Sequence, residues 1–126
     1  MKMRIRGDTL RLRLTRGEVD ALGSGAAVEE CTPFPDGSTL RYRLVAGTAF
    51  AASQSATAGG HVVIVEVPRE RAAAWAASDE VGVTGAEPFS VGPLNVLIEK
   101  DFTCITPRAG EEELDTFPNP AAQQAG

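Results

Sequence analysis

LRLRLTRGEVDAL, residues 10–22, and VVIVEVPRERAAAW, residues 62–75, carry the reading of the fold. Each begins as a run with strand character and turns, within a few residues, into a short helical pattern. In the first, Leu10, Leu12 and Leu14 alternate with Arg11 and Arg13, the period-two signature of a half-buried strand. Thr15 to Glu18 then has the spacing of a capping box, in which a hydroxyl and a carboxylate each satisfy a backbone amide orphaned at a helix start. Val19 and Leu22 supply that helix with an apolar side, and Gly23 or Gly25 can end it. In the second, HVVIVEV (61–67) is apolar at nearly every position, which predicts a central strand covered on both faces. Pro68 suits the first turn of a helix, where its missing amide costs nothing. The helix runs to about Ala77, with Ala72 and Trp75 inward, and Ser78-Asp79 closes it.

Outward from these two runs, residues 2–6 and 9–14 alternate around Gly7-Asp8 and read as a hairpin with Met3 and Ile5 facing the core. Residues 27–32 read as a strand, Pro33 to Ser38 as a turn, and Leu40, Tyr42 and Leu44 as the inward side of the next strand. A strand over 49–57 and a turn at Gly59-Gly60 precede the central strand. Strands over 80–84 and 93–99 follow the second helix, with Gly85 to Gly92 as a connector. The two halves match in order: Thr15 aligns with Pro68, Leu22 with Trp75 and Val28 with Val81, each offset by fifty-three places. Two such units cannot leave their edges open without an aggregation hazard. The expectation is therefore a mainly β (α+β) domain over 1–105, an antiparallel barrel-like sheet of about eight or nine strands. It is built from two ββαββ repeats, about 1–46 and 47–105, with the two helices over its ends. An acidic, proline-bearing arm over 106–120 is expected to dock on the domain, and 121–126 to form a disordered tail.

The length, 126 residues, fits one domain with a real core, and scarce aromatics leave that core to Val, Leu, Ile and Ala. The net charge of −5 argues against general nucleic-acid binding, which needs a basic surface. The charge is uneven. Before position 46 there are eight basic and six acidic residues; after it, four and eleven. The N-terminal MKMRIRGDTLRLRL lacks the apolar stretch of a signal peptide, and no run approaches membrane-spanning length. These features lead to the expectation of a cytoplasmic protein with no membrane partner, in which Cys31 and Cys104 are reduced thiols.

The richest chemistry sits in IEKDFTCITPRAGEEELDTFPNP, residues 98–120. Lys100 and Asp101 beside Cys104 are the catalytic candidates, because a nearby ammonium favours the reactive thiolate. The competing reading continues the strand and makes Cys104 a small buried hydrophobe. Glu111, Glu112, Glu113 and Asp115 offer oxygen ligands to a hard cation, but their spacing fits no calcium loop, and acidic surface runs usually just solvate. One histidine, His61, and two distant cysteines make no zinc set, and no cofactor is implied. Arg4, Arg6, Arg11, Arg13, Arg41 and Arg43 all take the outward parity of their strands. If those strands are neighbours they build one basic face for a small anion or an acidic protein. The alternatives are a solvated face with cross-strand acids, or a face covered by the chain's own acidic arm. Phe117 is the arm's aromatic anchor.

MKMRIRGDTLRLRLTRGEV, the spacing Trp75-x-x-Ser78-x-x-Val81-Gly82, IEKDFTC and the closing FPNP together resemble a family of small bacterial proteins. That family shares the order KIRI…SLRLRL, W-x-x-S-x-x-V-G, VEKDF-x-C, an acidic run and FPNP. The resemblance spans nearly the whole chain and implies no activity, substrate or cofactor. Glu29-Glu30-Cys31 departs from the family's pattern, so Cys31 gains no support from it. The functional expectation is a non-catalytic binding or accessory module using the arginine face, the arm or both. The alternative is a small enzyme or a metal or thiol site at Lys100, Asp101, Cys104 and the acidic run.

Overall fold

The computed structural model describes residues 1–101. Eight strands pair in four hairpins: β1 (Lys2–Arg6) with β2 (Thr9–Leu14), β3 (Val28–Pro33) with β4 (Thr39–Gly47), β5 (Ala51–Thr57) with β6 (Gly60–Pro68), and β7 (Phe89–Val91) with β8 (Leu94–Lys100). The helix α1 (Arg16–Gly23) follows β2, and α2 (Arg69–Ala76) follows β6. The first and last hairpins join through a parallel β2–β8 pair, giving a sheet of order β1-β2-β8-β7. The middle two join through a parallel β4–β6 pair, giving β3-β4-β6-β5. Both helices therefore carry the chain from one sheet to the other.

The fold is mainly β, with two helices and two four-stranded mixed sheets. The expected closed antiparallel barrel does not form among the described residues. The sheets meet at both margins through side chains, not through backbone pairing. At one margin the rings of Phe50 and Phe89 lie 4.8 Å apart. At the other, the Met1 amino group reaches Glu30 of β3 at 2.9 Å.

A single core fills the space between the sheets and helices. Leu10, Leu12, Leu14, Val96 and Ile98 enter from the first sheet, Val28, Leu44, Val65 and Val67 from the second, and Val19, Leu22, Ala72 and Trp75 from the helices. Thr15 caps α1 as its spacing predicts: Thr15 N–H donates to Glu18 Oε1 at 2.9 Å, and Glu18 N–H donates to Thr15 Oγ1. The helices touch where Gly23 ends α1. A Cβ at that position would lie 2.5 Å from Ala76 Cβ, so glycine permits the approach.

Four expectations need correction. β6 is central but is covered on one face only: Val65 and Val67 are buried, whereas Val62 and Ile64 lie half-exposed on the outer side. Ile5 has inward parity but is 64% exposed, because it sits near the end of an edge strand where no described element covers it. Residues 80–84 form no strand. They make one bridge, Gly82 to Glu99, and then the chain turns back as Gly85 N–H bonds Gly82 C=O. A Cβ at Gly82 would lie 2.2 Å from that turn's own Gly85 carbonyl oxygen. The edge of β8 is shared: β7, inside the segment read as a connector, covers Leu94 to Val96, and residues 81–83 cover Ile98 to Lys100 with two backbone hydrogen bonds. As a result Val81, expected to match buried Val28, is 49% exposed, and Val83 takes the core position.

Trp75 ties these parts together. It is fully buried, and its Nε1–H donates to Val81 C=O at 3.1 Å. Replacing it with alanine removes a large buried aromatic and leaves a cavity beneath α2. Trp75→Ala should lower unfolding free energy by about 3–5 kcal/mol. Denaturant midpoints of the two proteins check this, and a loss below about 1 kcal/mol would contradict the packing described.

Candidate functional site

The six arginines, which would build one face if their strands were neighbours, lie on two sheets. Arg41 and Arg43 belong to β4 and project from the outer face of the second sheet, opposite Cys31 and Glu29 of β3. Glu29 serves both, at 3.1 Å from Arg41 Nε and 2.9 Å from Arg43 Nε. The Arg43 contact lacks hydrogen-bond alignment, so it is an ion pair only. On this face two arginines share one cross-strand carboxylate.

The other four arginines share the outer face of the first sheet with Lys2. Register puts Arg4 directly opposite Arg11, and Lys2 opposite Arg13. On β8, Leu97 lies beside Arg11 and Glu99 beside Arg13. Glu99 is the carboxylate that meets both β2 arginines, at 3.5 Å from Arg11 and 3.7 Å from Arg13. Lys2 Nζ lies 3.2 Å from Asp101, where the described chain ends. Five cations thus crowd one hairpin of a chain whose overall charge is negative.

Lys100 and Asp101 take different partners. Lys100 has the inward parity of β8. Its Nζ donates to Ser78 C=O and lies 5.7 Å from the centre of the Trp75 ring, a cation–π contact. Asp101 N–H donates to Leu14 C=O at 2.8 Å, which extends the β2–β8 pairing by one residue. Both line a cleft of about 640 Å³ with Leu14, Arg16, Val19 and Asp79. No hydrogen bond joins Lys100 to Asp101 among the described residues. Cys104, Glu111, Glu112, Glu113, Asp115 and Phe117 lie outside the described residues. Cys31 is an exposed thiol. Among the described residues no group of three His, Cys, Asp or Glu side chains is placed to hold a metal ion. No helix there is long and apolar enough to cross a membrane.

Sequence reasoning missed one cluster altogether. The Met1 amino group is enclosed and bonds Glu18 and Glu30, and Tyr42 Oη–H points to Met1 C=O at 3.5 Å. Burial works against the charged amine, but the bonds to Glu18 and Glu30, and their charges, hold its pKa above the usual range. Burial also raises Glu18, yet the ammonium and the Thr15 amide outweigh it and the carboxyl sits below its usual range. Tyr42 is raised, first by burial and then by the two glutamates. Glu18 therefore caps α1 and anchors the start of β1 together. The capping-box spacing signals the first role; nothing local in the sequence signals the second.

Glu66 also has a role that its sequence context hides. The chain crosses the end of β6 between β4 and β5, and Glu66 accepts the Thr48 N–H at 2.7 Å and the Ala49 N–H at 3.2 Å. Those amides lower its pKa. The carboxylate in an otherwise apolar strand is the clamp for that crossing.

With this geometry in place, the comparisons with known proteins give one positive result. A family model matches residues 1–121, and the chain belongs to that family, a family of unknown function, DUF7009. Comparison with curated proteins finds no match, and neither does comparison with solved structures.

The double role of Glu18 has a pH signature. Its folded pKa lies below the unfolded value, so its charge contributes stability above the ordinary carboxylate range, and that contribution fades as pH falls through the folded value. Glu18→Ala should cost about 1–2 kcal/mol at pH 7, as for loss of a helix cap. Glu18→Gln keeps a cap acceptor and loses the charge, so its deficit relative to wild type should shrink as pH is lowered. Urea midpoints from pH 7 down to pH 3 read both effects.

Proposed function

We propose that this protein is a non-catalytic binding module whose cationic β1–β2 face takes an acidic protein segment. The observation that carries the reading is the register itself. Arg4 stands directly opposite Arg11, with Lys2 and Arg13 as the next pair on the same face. Like charges placed opposite each other destabilise a sheet, so a carboxylate-rich ligand relieves a repulsion already present. Such a ligand would find guanidinium forks suited to bidentate carboxylate contacts. The second sheet bears the same Arg-x-Arg pattern, but there Glu29 lies at 3.1 and 2.9 Å, nearer than Glu99 lies to Arg11 and Arg13, and no third strand adds cations. An enzymatic reading of Lys100 and Asp101 has less support, since Lys100 is engaged by Ser78 and Trp75.

We also read the chain as an internal duplication of two ββαββ units, about 1–46 and 47–105. The support is topological. Exchanging the halves turns the order β1-β2-β8-β7 into β5-β6-β4-β3, the order of the other sheet. The cationic hairpin would then be one of two equivalent hairpins, the other being β5–β6. That hairpin carries no arginine, so the charge belongs to one unit alone.

Titration of a fluorescein-labelled Glu/Asp-rich decapeptide, followed by anisotropy, tests the binding reading. Affinity should fall at least about tenfold in Arg4→Glu/Arg11→Glu, hold in Arg41→Glu, and weaken with salt as exposed ion pairs do. Equal affinity in all three proteins, or no binding by wild type, would refute it. Neutralising Glu111, Glu112 and Glu113 to Gln reports the chain's own acidic run: tighter peptide binding in that variant identifies the run as a competitor.

A further inference from the structure

Two open sheets have four edge strands, and exposed edges invite pairing with another chain. Three of the four are blunted. β1 carries Lys2, Arg4 and Arg6. β3 carries Glu29 and Glu30 and ends in Pro33. β7 has three residues. β5 has none of these protections. Its seven residues, AASQSAT, include no charge and no proline, and Ser53 to Thr57 are all exposed. Its register with β6 runs without a bulge from Ala51↔Glu66 to Thr57↔Gly60. Among the described residues no strand pairs with its outer edge.

The sequence of β5 reads nearly the same in both directions about Gln54. Ser53 and Ser55 flank it, then Ala52 and Ala56, then Ala51 and Thr57. We propose that β5 is a homodimer edge: two copies pair antiparallel about a twofold axis at Gln54, joining their second sheets into one eight-stranded sheet. In an antiparallel pair, residues directly opposite each other share a face. With the axis at Gln54, Ser53 meets Ser55 of the second copy, Ala52 meets Ala56, and Gln54 meets itself. No charge opposes a like charge, and Gln54 on the axis is the one long side chain set against its own copy. This is the self-complementarity that a twofold interface requires. The small side chains let the backbones approach along the whole strand, so the pairing rests on main-chain hydrogen bonds. Gln54 also has a neighbour that holds it in place, since its Nε2 lies 3.1 Å from His61 Nδ1 on β6.

A second copy is favoured over an unrelated extended peptide because only a copy must match this strand against itself, and the near-palindrome supplies that match. The dimer is independent of the cationic face, which lies on the other sheet.

Sedimentation equilibrium over a wide concentration range reads the association in the full chain. Wild type should approach twice the monomer mass, and Gln54→Lys, which sets two ammonium groups against each other at the axis, should remain monomeric with unchanged circular dichroism. Cysteine cross-linking reads the register. In a Cys31→Ser/Cys104→Ser background, Gln54→Cys should form a disulfide-linked dimer on mild oxidation, because the axis places the residue against itself. Ser53→Cys and Ser55→Cys should each cross-link poorly alone and efficiently when mixed. Wild type that stays monomeric, with Gln54→Cys linking no faster than Ser53→Cys alone, overturns the proposal. So does a dimer that Gln54→Lys leaves intact, since the interface then lies elsewhere.

Discussion

Two parallel strand pairs, β2 with β8 and β4 with β6, are the constraint on which the rest of the structure depends. Neighbouring strands in sequence form hairpins easily, and this chain makes four. A hairpin alone is marginal, and a sheet with an apolar face needs more strands. The parallel pairs supply them by joining the first hairpin to the last and the second to the third. Leu12 of β2 thus lies beside Ile98 of β8, almost a full domain apart in sequence. The loop-closure entropy of such contacts is met before they repay it, so the topology favours slow folding over fast. The helices follow from the same constraint. Each carries the chain from one sheet to the other, and the two meet at Gly23 and Ala76 over the shared core.

The same constraint decides which charges meet. β2 and β4 both carry arginines on alternate outward positions, and strand parity alone makes them look equivalent. Pairing makes them different. β4 lies beside β3, whose Glu29 is directly opposite Arg43 and close to Arg41. β2 lies between β1, which adds further cations, and β8, which adds Glu99. One outer face therefore sets two arginines against Glu29, and the other sets a cationic hairpin against Glu99 and Asp101.

What was legible in the sequence is what local chemistry determines. The leucine alternation of 10–14 placed those side chains in the core, the Thr15–Glu18 spacing set the start of α1, and Ala72 and Trp75 marked the inward side of α2. What was not legible depends on partners distant in sequence. Parity says that Arg41 points outward but not which sheet β4 joins. A β-rich pattern over 80–84 gives way to a turn because Gly82 lets the chain fold back on Gly85, and that choice moves the buried valine from 81 to 83. The closed barrel was inferred from the need to protect edges. The molecule protects most of them by charge, proline and shortness, a solution that requires no closure. The amine cluster around Glu18 and Glu30 was out of reach for the same reason, since it joins elements from three parts of the chain.

A comparison of magnitudes shows why the cationic hairpin can persist. An unfavourable cross-strand charge pair costs about 0.2–1 kcal/mol, and less when exposed to salt. On the opposite side of the same hairpin, Leu10, Leu12 and Leu14 are buried, each worth about 1.5–3 kcal/mol. The apolar side therefore exceeds the repulsion on the charged side several-fold. The start of β1 is held further by the enclosed Met1 amine and by Lys2 against Asp101. Folding does not need each arginine to have a carboxylate of its own: Arg11 and Arg13 share Glu99. A face kept positive by a core that tolerates it, in a chain negative overall, retains its electrostatic attraction for a segment rich in carboxylates.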